Sequence, residues 1–448
     1  MEFVIIGGDA AGMSAASRAK RLRPDLKVTV LEKTTDVSYS ACGMPYNIAD
    51  PKRGIEDLVV RGADIFREKQ DIHLLTGHCA KAIDRINKTV AGTSLKGKNF
   101  EFSFDKLLIA TGASPIRPDL PGFNLPGVMQ LKSLDDGRKI KQFIKSNRVK
   151  KSVVIGMGFI ALEMVEALRT LNIEVYMVKP RPVFLPWMDE MLADVVKGEV
   201  ETNRVHLYPG HVVERIEKSN KGLTVVCADL KLEADMVLVA IGITPDSRLA
   251  ANANIELGVS NSISVDKGLK TSDKNIFAAG DCADAYHVVT GQKVWIPLAL
   301  RANRAGWAVA DSVCGREPNL PGVVGTAVFK LFDLEVARTG LHSEGAKKFG
   351  FEPVEVTIKS GSRAHAHPGS STIYVQMIGD RKSDRLLGVQ MVGKEGTAHR
   401  INAAAVALHC HMTVEQFSQA DMAYAPPFGP VWDPMLTAAN QLFKKMRT

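Results

Sequence analysis

"EFVIIGGDAAGMSAASRAKRLRPDLKVTVLEK", residues 2–33, carries the pattern that decides the fold. Phe3 to Ile6 is a continuous apolar run, as a parallel strand buried on both faces requires. Gly7, Gly8 and Gly12 follow, with Ala10 and Ala11 among them. Such a turn lets backbone amides close on a pyrophosphate at the N-terminus of the next helix. That helix carries Ala15, Ala16 and Ala19, small enough to pack tightly on a sheet. A second strand, KVTVLE, ends at Glu32, with Lys33 behind it. An acid about twenty residues past the last glycine can accept hydrogen bonds from a ribose. Asp9 departs from G-x-G-x-x-G, because it stands where the middle glycine belongs. Strand, turn, helix and terminal acid together predict a dinucleotide site.

The unit recurs at residues 151–181, "KSVVIGMGFIALEMVEALRTLNIEVYMVKPR". Gly156 and Gly158 are in place, Phe159 and Ile160 open the helix, and Ala161 replaces the third glycine. Two such units predict two dinucleotides, a flavin (FAD) and a nicotinamide (NADP or NAD). An acid at the end of the second strand would hold the free 2′-hydroxyl of NADH, but the chain has Lys179, Pro180 and Arg181 there. Two cations neutralise a 2′-phosphate, so NADPH is favoured, with NADH accepted as well.

Two apolar strands end in small-residue turns, one at Ala110, Thr111 and Gly112, the other at Gly242 and Pro245. Both suit a chain crossing between domains. "TSDKNIFAAGDCAD", 271–284, is a strand running straight into Gly280 and Asp281, where a carboxylate can meet sugar or ribityl hydroxyls. From about Gly322 the texture changes to antiparallel strands, a helix at TAHRINAAAVALHC, the loop AYAPPFGPVWDP and a terminal helix. The predicted fold is α/β, with two Rossmann-like domains and a C-terminal α+β dimerisation domain. The FAD domain is discontinuous, 1–112 and 246–321; the NAD(P)H domain is 113–245; the last is 322–448.

At 448 residues, 45% hydrophobic and 24% charged, the chain suits a protein of two or three domains. A net charge of +8 spread over this length suits a solvated basic surface or pockets for phosphate-bearing cofactors, and is weak evidence for nucleic acid. No run of about 18 apolar residues exists to span a membrane. The first strand begins at residue 3, which leaves no room for a signal or transit peptide. Six scattered cysteines, at 42, 79, 227, 282, 314 and 410, suit a reduced cytoplasmic chain. The histidine pairs 365/367 and 409/411 lack acids or cysteines at metal-ligand spacing, so no metal is expected.

The two glycine turns, Glu32, the Ala-Thr-Gly turn, Gly280-Asp281 and the closing α+β region occur in one order. That order resembles the pyridine nucleotide–disulfide oxidoreductases over essentially the whole chain. Ser38 to Tyr46, within "SYSACGMPYN", resembles the S-x-x-x-C-G-x-P-Y signature of CoA-disulfide reductases and related NADH oxidases. "DMAYAPPFGPVWDP", 421–434, is similar to the C-terminal active-site segment of that branch. The resemblance implies that Cys42 is the redox sulfur. Relatives with an internal disulfide carry a second cysteine at the position of Asn47, so Cys42 would hold a mixed disulfide, a persulfide or a sulfenic acid. A helix opening just after Cys42 would favour its thiolate.

The same resemblance assigns Glu163 near nicotinamide and flavin, and places Pro297, Leu298, Ala299 and Arg304 about the flavin. It assigns Ser38 and Ser40 beside the substrate. Arg18 and Arg21, a turn apart on the first helix, would meet the phosphates of coenzyme A or form a solvated face. Tyr424 matches one of two tyrosines that reach the other subunit's cysteine. The second tyrosine is replaced within "AHAHPGS", where His367 offers a proton donor that titrates nearer neutrality. Oxidases and peroxidases of the branch carry a histidine where this chain has Ala10. The leading expectation is a homodimeric NAD(P)H reductase of a small-molecule disulfide or CoA-type substrate. An NAD(P)H oxidase working through a sulfenic acid is the alternative, and a flavoprotein of negligible turnover the third.

Overall fold

The computed structural model describes residues 1–220, 222–318 and 320–448. Its first sheet is built around the opening strand. Glu2–Ile6 pairs in parallel with Lys27–Glu32 on one side and Lys106–Ile109 on the other. His73–Thr76 and Ile276–Ala278 complete the five strands at the two edges. Phe3, Val4, Ile5 and Ile6 are all buried, as their unbroken apolar run requires. The chain leaves the centre in both directions, so a crevice opens beyond the C-terminal ends of Glu2–Ile6 and Lys106–Ile109.

The second sheet repeats the plan. Its order is Val205–Pro209, Glu174–Lys179, Lys151–Ile155, Met236–Val239, Val128–Met129, all parallel. One steric device recurs in both units. A Cβ on Gly7 would lie 2.1 Å from the Ala110 carbonyl oxygen, and one on Gly156 would lie 2.2 Å from that of Ala240. Both glycines also have positive φ, +113° and +118°. Each turn therefore nests against the neighbouring strand end only because its side chain is missing.

Ala113–Pro115 and Ile243–Pro245 are the two crossings between the sheets, and they pair antiparallel with each other. Two further antiparallel sheets of three strands, His78–Ser103 and Val213–Ala234, went unread in the sequence. The C-terminal sheet has the order Ala327–Leu331, Leu334–Gly340, Leu386–Gly393, Thr372–Asp380, Pro353–Gly361. Helices Thr397–His409 and Pro434–Arg447 cover one face, with Ile401, Ala404, Leu408, Met435 and Leu442 buried in its core. The other face meets the second nucleotide unit. There Phe159 packs against both Phe329 and Trp187, with ring centroids 5.2 Å apart in each case. The side chain of Gln390 accepts from the Asp189 amide and donates to the Trp187 carbonyl, both at 3.0 Å.

Candidate active site

The first glycine turn leads into the helix Ala10–Leu22. A Cβ on Gly12 would meet the Gly7 carbonyl oxygen at 1.9 Å, so helix and turn touch backbone to backbone. Ala11 is buried, and glycines seat against it from two sides. A Cβ on Gly306, in the helix Ala299–Val313, would lie 2.2 Å from the Ala11 carbonyl oxygen, and one on Gly280 would lie 3.1 Å from its Cβ. Glu32 is buried at the strand end. One carboxylate oxygen accepts from the Gly8 amide at 2.7 Å, the other from the amide and hydroxyl of Thr34. Lys33 is exposed and lies 3.8 Å from Asp246.

Asp281 leaves the Ile276–Ala278 strand through Gly280, whose φ is +84°, and accepts from the Lys132 ammonium at 2.9 Å. Thr111 donates to the Asp246 carbonyl at 2.6 Å, and Gly112 and Gly242 have φ of +77° and +122°. Pro297 and Leu298 lead into the helix that Ala299 opens. Glycines without room for a Cβ, a buried acid at the strand end and one cation over the crevice fit a dinucleotide here. Sequence reasoning missed Lys132, which precedes a helix capped by Ser133 and so reads as an ordinary surface lysine.

Cys42 sits in a short 3-10 turn, Ala41–Gly43, followed by the helix Met44–Ile48. The segment before it is tied down: Ser40 donates to the Leu58 carbonyl, and the Ser38 carbonyl accepts from Val60, each at 2.8 Å. Ser38 has a left-handed φ of 49°. A Cβ on Gly43 would lie 2.7 Å from Leu58 Cδ2, so a larger residue beside the cysteine would displace the Leu58 side chain. Asn47 is fully buried, donating to the Gly54 carbonyl at 2.7 Å and accepting from Lys141 at 2.9 Å.

The thiol of Cys42 is open to solvent on one side, yet its pKa is raised. The protein volume behind it is the main cause and the Glu163 carboxylate the next, while Lys132 opposes them. This corrects the expectation of a thiolate favoured by a helix N-terminus. The following helix has only five residues, too short to build a dipole that offsets burial and a facing carboxylate. Glu163 is held by the Tyr46 hydroxyl at 2.9 Å, and burial raises its own pKa in turn. The sequence placed both residues near the site without revealing that they touch.

Several further residues sit otherwise than expected. Lys179 is only 9% exposed and donates to the Val183 carbonyl at 2.5 Å, whereas Arg181 is exposed. The two cations are therefore not equivalent. Arg18 forms a bidentate pair with Asp311, both bonds 2.9 Å, and lies over the Trp307 ring at 5.4 Å. Arg21 is exposed on the same helix. Arg304 is exposed and lines a cleft of about 420 Å³ with Arg18 and Trp307. It points outward because Ala302, Ala305 and Gly306 take the inward face of its helix. Ile160 is part-exposed on the first turn of its helix, beyond Gly158.

Tyr424 and His367 make no hydrogen bond to the Cys42 segment of their own chain among the described residues. Their two loops are joined to each other instead, by the Ala364 amide donating to the Pro426 carbonyl at 3.0 Å. Arg400 braces the second loop, donating to Asp433 at 2.7 Å and to the Phe428 carbonyl at 2.6 Å. Held this way, Tyr424, Phe428 and Trp432 stand 48%, 78% and 63% exposed. All six cysteines are free, and no group of three metal-ligating side chains occurs among the described residues. No helix there is long and apolar enough to cross a membrane.

Family models match in two places: the pyridine nucleotide-disulphide oxidoreductase model over residues 1–306, and its dimerisation domain over 326–435. The chain is 36% identical over 440 residues to an NAD(P)H sulfur oxidoreductase (CoA-dependent) of Pyrococcus abyssi, covering 98% of this chain and 97% of that protein. It is 32% identical to an NADH oxidase of Methanocaldococcus jannaschii, covering 100% of this chain and 99% of the other. Among solved structures, an NAD-dependent persulfide reductase from A. fulgidus superposes with a TM-score of 0.96 at 36% identity, covering 100% of this chain and 84% of that one. With its two nucleotide units, crossing strands and C-terminal sheet, this chain belongs to the pyridine nucleotide-disulphide oxidoreductases, enzymes that use FAD and NAD(P)H.

Proposed function

We propose that the chain is a cytoplasmic FAD-dependent NAD(P)H reductase of a sulfur–sulfur bond, acting on CoA disulfide, CoA persulfide or polysulfide through Cys42 alone. The observation that carries this is the isolation of Cys42: the position that would hold a second cysteine is a buried, doubly bonded Asn47. A sulfur without an internal partner stores its oxidising equivalent on a substrate sulfur or as a sulfenic acid, and sulfur–sulfur reduction uses the first. Residues 1–112 and 246–321 would hold FAD, 113–245 the nicotinamide nucleotide, and 322–448 the second subunit.

The Cys42 thiol gives its proton to solvent on its open side, and the thiolate attacks one sulfur of the substrate. The substrate S–S bond breaks, a Cys42–sulfur bond forms, and the distal sulfur leaves as a thiolate. FAD, held by the first glycine turn, would supply the two electrons from the nicotinamide that reduce the new S–S bond. Cys42 then returns to thiolate and the second substrate sulfur is released. The partner subunit's Tyr424 protonates the departing thiolate, and the His367 loop, joined to it at Pro426, stands as the second donor. Arg21 meets the phosphates of coenzyme A; Arg18 joins it only on leaving Asp311. Gly7, Gly8, Glu32 and Asp281 hold the flavin nucleotide, with Lys132 supplying positive charge.

The likeness to the M. jannaschii NADH oxidase supports a second reading, oxygen reduction through a Cys42 sulfenic acid. Ala10 weighs against it, because the oxidase-like imidazole beside the cysteine is missing. Cys42→Ser decides the first reading. It should retain FAD and remain reducible by NADPH, yet lose sulfur reduction. Retained disulfide or persulfide turnover would end the proposal.

A further inference from the structure

Asp9 is the one residue of the first turn that breaks its glycine pattern, and its surroundings repeat its own charge. It directly precedes the Ala10–Leu22 helix, and its carboxylate does not cap that helix. One oxygen accepts a long hydrogen bond, 3.4 Å, from the Tyr39 amide in the segment leading to Cys42. The charged and titratable groups that act on it are Glu32 from the second strand, Asp281 from beyond Ile276–Ala278, Lys132, which is itself paired with Asp281, and the Tyr39 phenol and Cys42 thiol of the adjoining segment. Burial pushes the Asp9 carboxyl up to about 6; Glu32 and Asp281 add to this, while the Tyr39 amide and Lys132 pull it down.

A pyrophosphate brings two more negative charges to the amides of this helix N-terminus. Against an ionised Asp9, like charges would meet in a part-buried crevice with one shared cation. Against the protonated acid the clash disappears, and the carboxyl gains an O–H donor. A glycine here, as in the usual pattern, would pose no such choice.

We propose that FAD enters this turn together with one proton, which the Asp9 carboxyl takes up, so that flavin retention weakens as pH rises. The inference rests on the reading that the first turn holds FAD. The proton comes from solvent, and no electrons move. The sign follows from linkage. Binding raises the Asp9 pKa, so full affinity holds below the free-chain value of about 6. Affinity is lost above it by up to about tenfold per pH unit, until the bound-state value is passed.

The test dilutes the holoenzyme between pH 5.5 and 8.5 and reads the fluorescence of released flavin. The wild-type dissociation constant should climb up to tenfold per unit above pH 6. That of Asp9→Asn should stay flat, and lie below the wild-type value at pH 8.5. A flat wild-type profile, or the wild-type slope in Asp9→Asn, overturns the proposal while leaving FAD binding intact. A chain that retains no FAD at any pH would instead overturn the cofactor reading beneath it. Should Asp9→Asn not fold, calorimetry of FAD binding to the wild type decides, in two buffers of different ionisation heat. Net uptake approaching one proton at pH 7.5 supports the proposal, and no uptake overturns it.

Discussion

Arg181→Ala tests whether the exposed cation beyond the strand Glu174–Lys179 reads a 2′-phosphate. Lys179 and Arg181 are adjacent in charge but opposite in situation: Lys179 is buried and spends its ammonium on the Val183 carbonyl, while Arg181 is exposed at the end of the strand. Burial and the neighbouring Arg181 also lower the Lys179 pKa, which weakens it further as an anion site. A charge-assisted hydrogen bond is worth roughly 1.5–3 kcal/mol. Losing one at Arg181 should therefore lower kcat/KM for NADPH by roughly 10- to 150-fold and leave NADH nearly unchanged. Lys179→Met should do the reverse. It leaves the ratio of the two nucleotides alone and costs about 1–3 kcal/mol of stability, because the Val183 carbonyl loses its donor. The assay is steady-state oxidation of each nucleotide with a saturating disulfide, beside thermal melting. If Arg181→Ala leaves the nucleotide ratio unchanged, or Lys179→Met alone shifts it, the reasoning from exposure is wrong.

Subunit exchange between Cys42→Ser and Tyr424→Phe homodimers should restore up to half the wild-type activity per dimer, because one site of the mixed dimer is intact; none after verified exchange refutes action across the interface. Glu163→Gln removes a carboxylate that raises the Cys42 pKa, so the thiolate fraction at neutral pH should rise. The pH profile of Cys42 alkylation should move to lower pH, and an unmoved profile counts against the contact. Gly306→Ala forces a Cβ to 2.2 Å from the Ala11 carbonyl; overpacking of this kind costs about 1–3 kcal/mol, and it should lower both Tm and flavin content.

The two nucleotide units were legible because each packs a long periodic signal into about thirty residues: buried strand, glycine turn, small-residue helix, second strand. The C-terminal antiparallel strands were legible as runs rich in β-branched and aromatic residues, although Thr372–Asp380 and Leu386–Gly393 are buried almost throughout instead of alternating. The small sheets at His78–Ser103 and Val213–Ala234 were not. They are half-exposed hairpins, the first burying Ile83 and Val90 in one core cluster and the second burying Leu223 and Leu232 in another. In the site, residue types and spacing singled out Glu32 and Asp281, and the family resemblance singled out Cys42. Pairings remote in sequence stayed hidden: Lys132 with Asp281, 149 residues apart, and Arg18 with Asp311, 293 apart. Side-chain commitment also escaped the sequence, since Lys179 and Arg181 look alike until burial separates them.

The central claim is that one sulfur, Cys42, bonds covalently to a CoA-type substrate, and intact-mass analysis tests it most directly. Purified protein is incubated with CoA disulfide without nicotinamide nucleotide, weighed, and mapped by peptides. The account predicts one CoA adduct per chain, located on Cys42, absent from Cys42→Ser, and removed by NADPH with release of CoA. A chain that gains no CoA, gains it on another of its six cysteines, or carries only a single added oxygen at Cys42 would contradict the account.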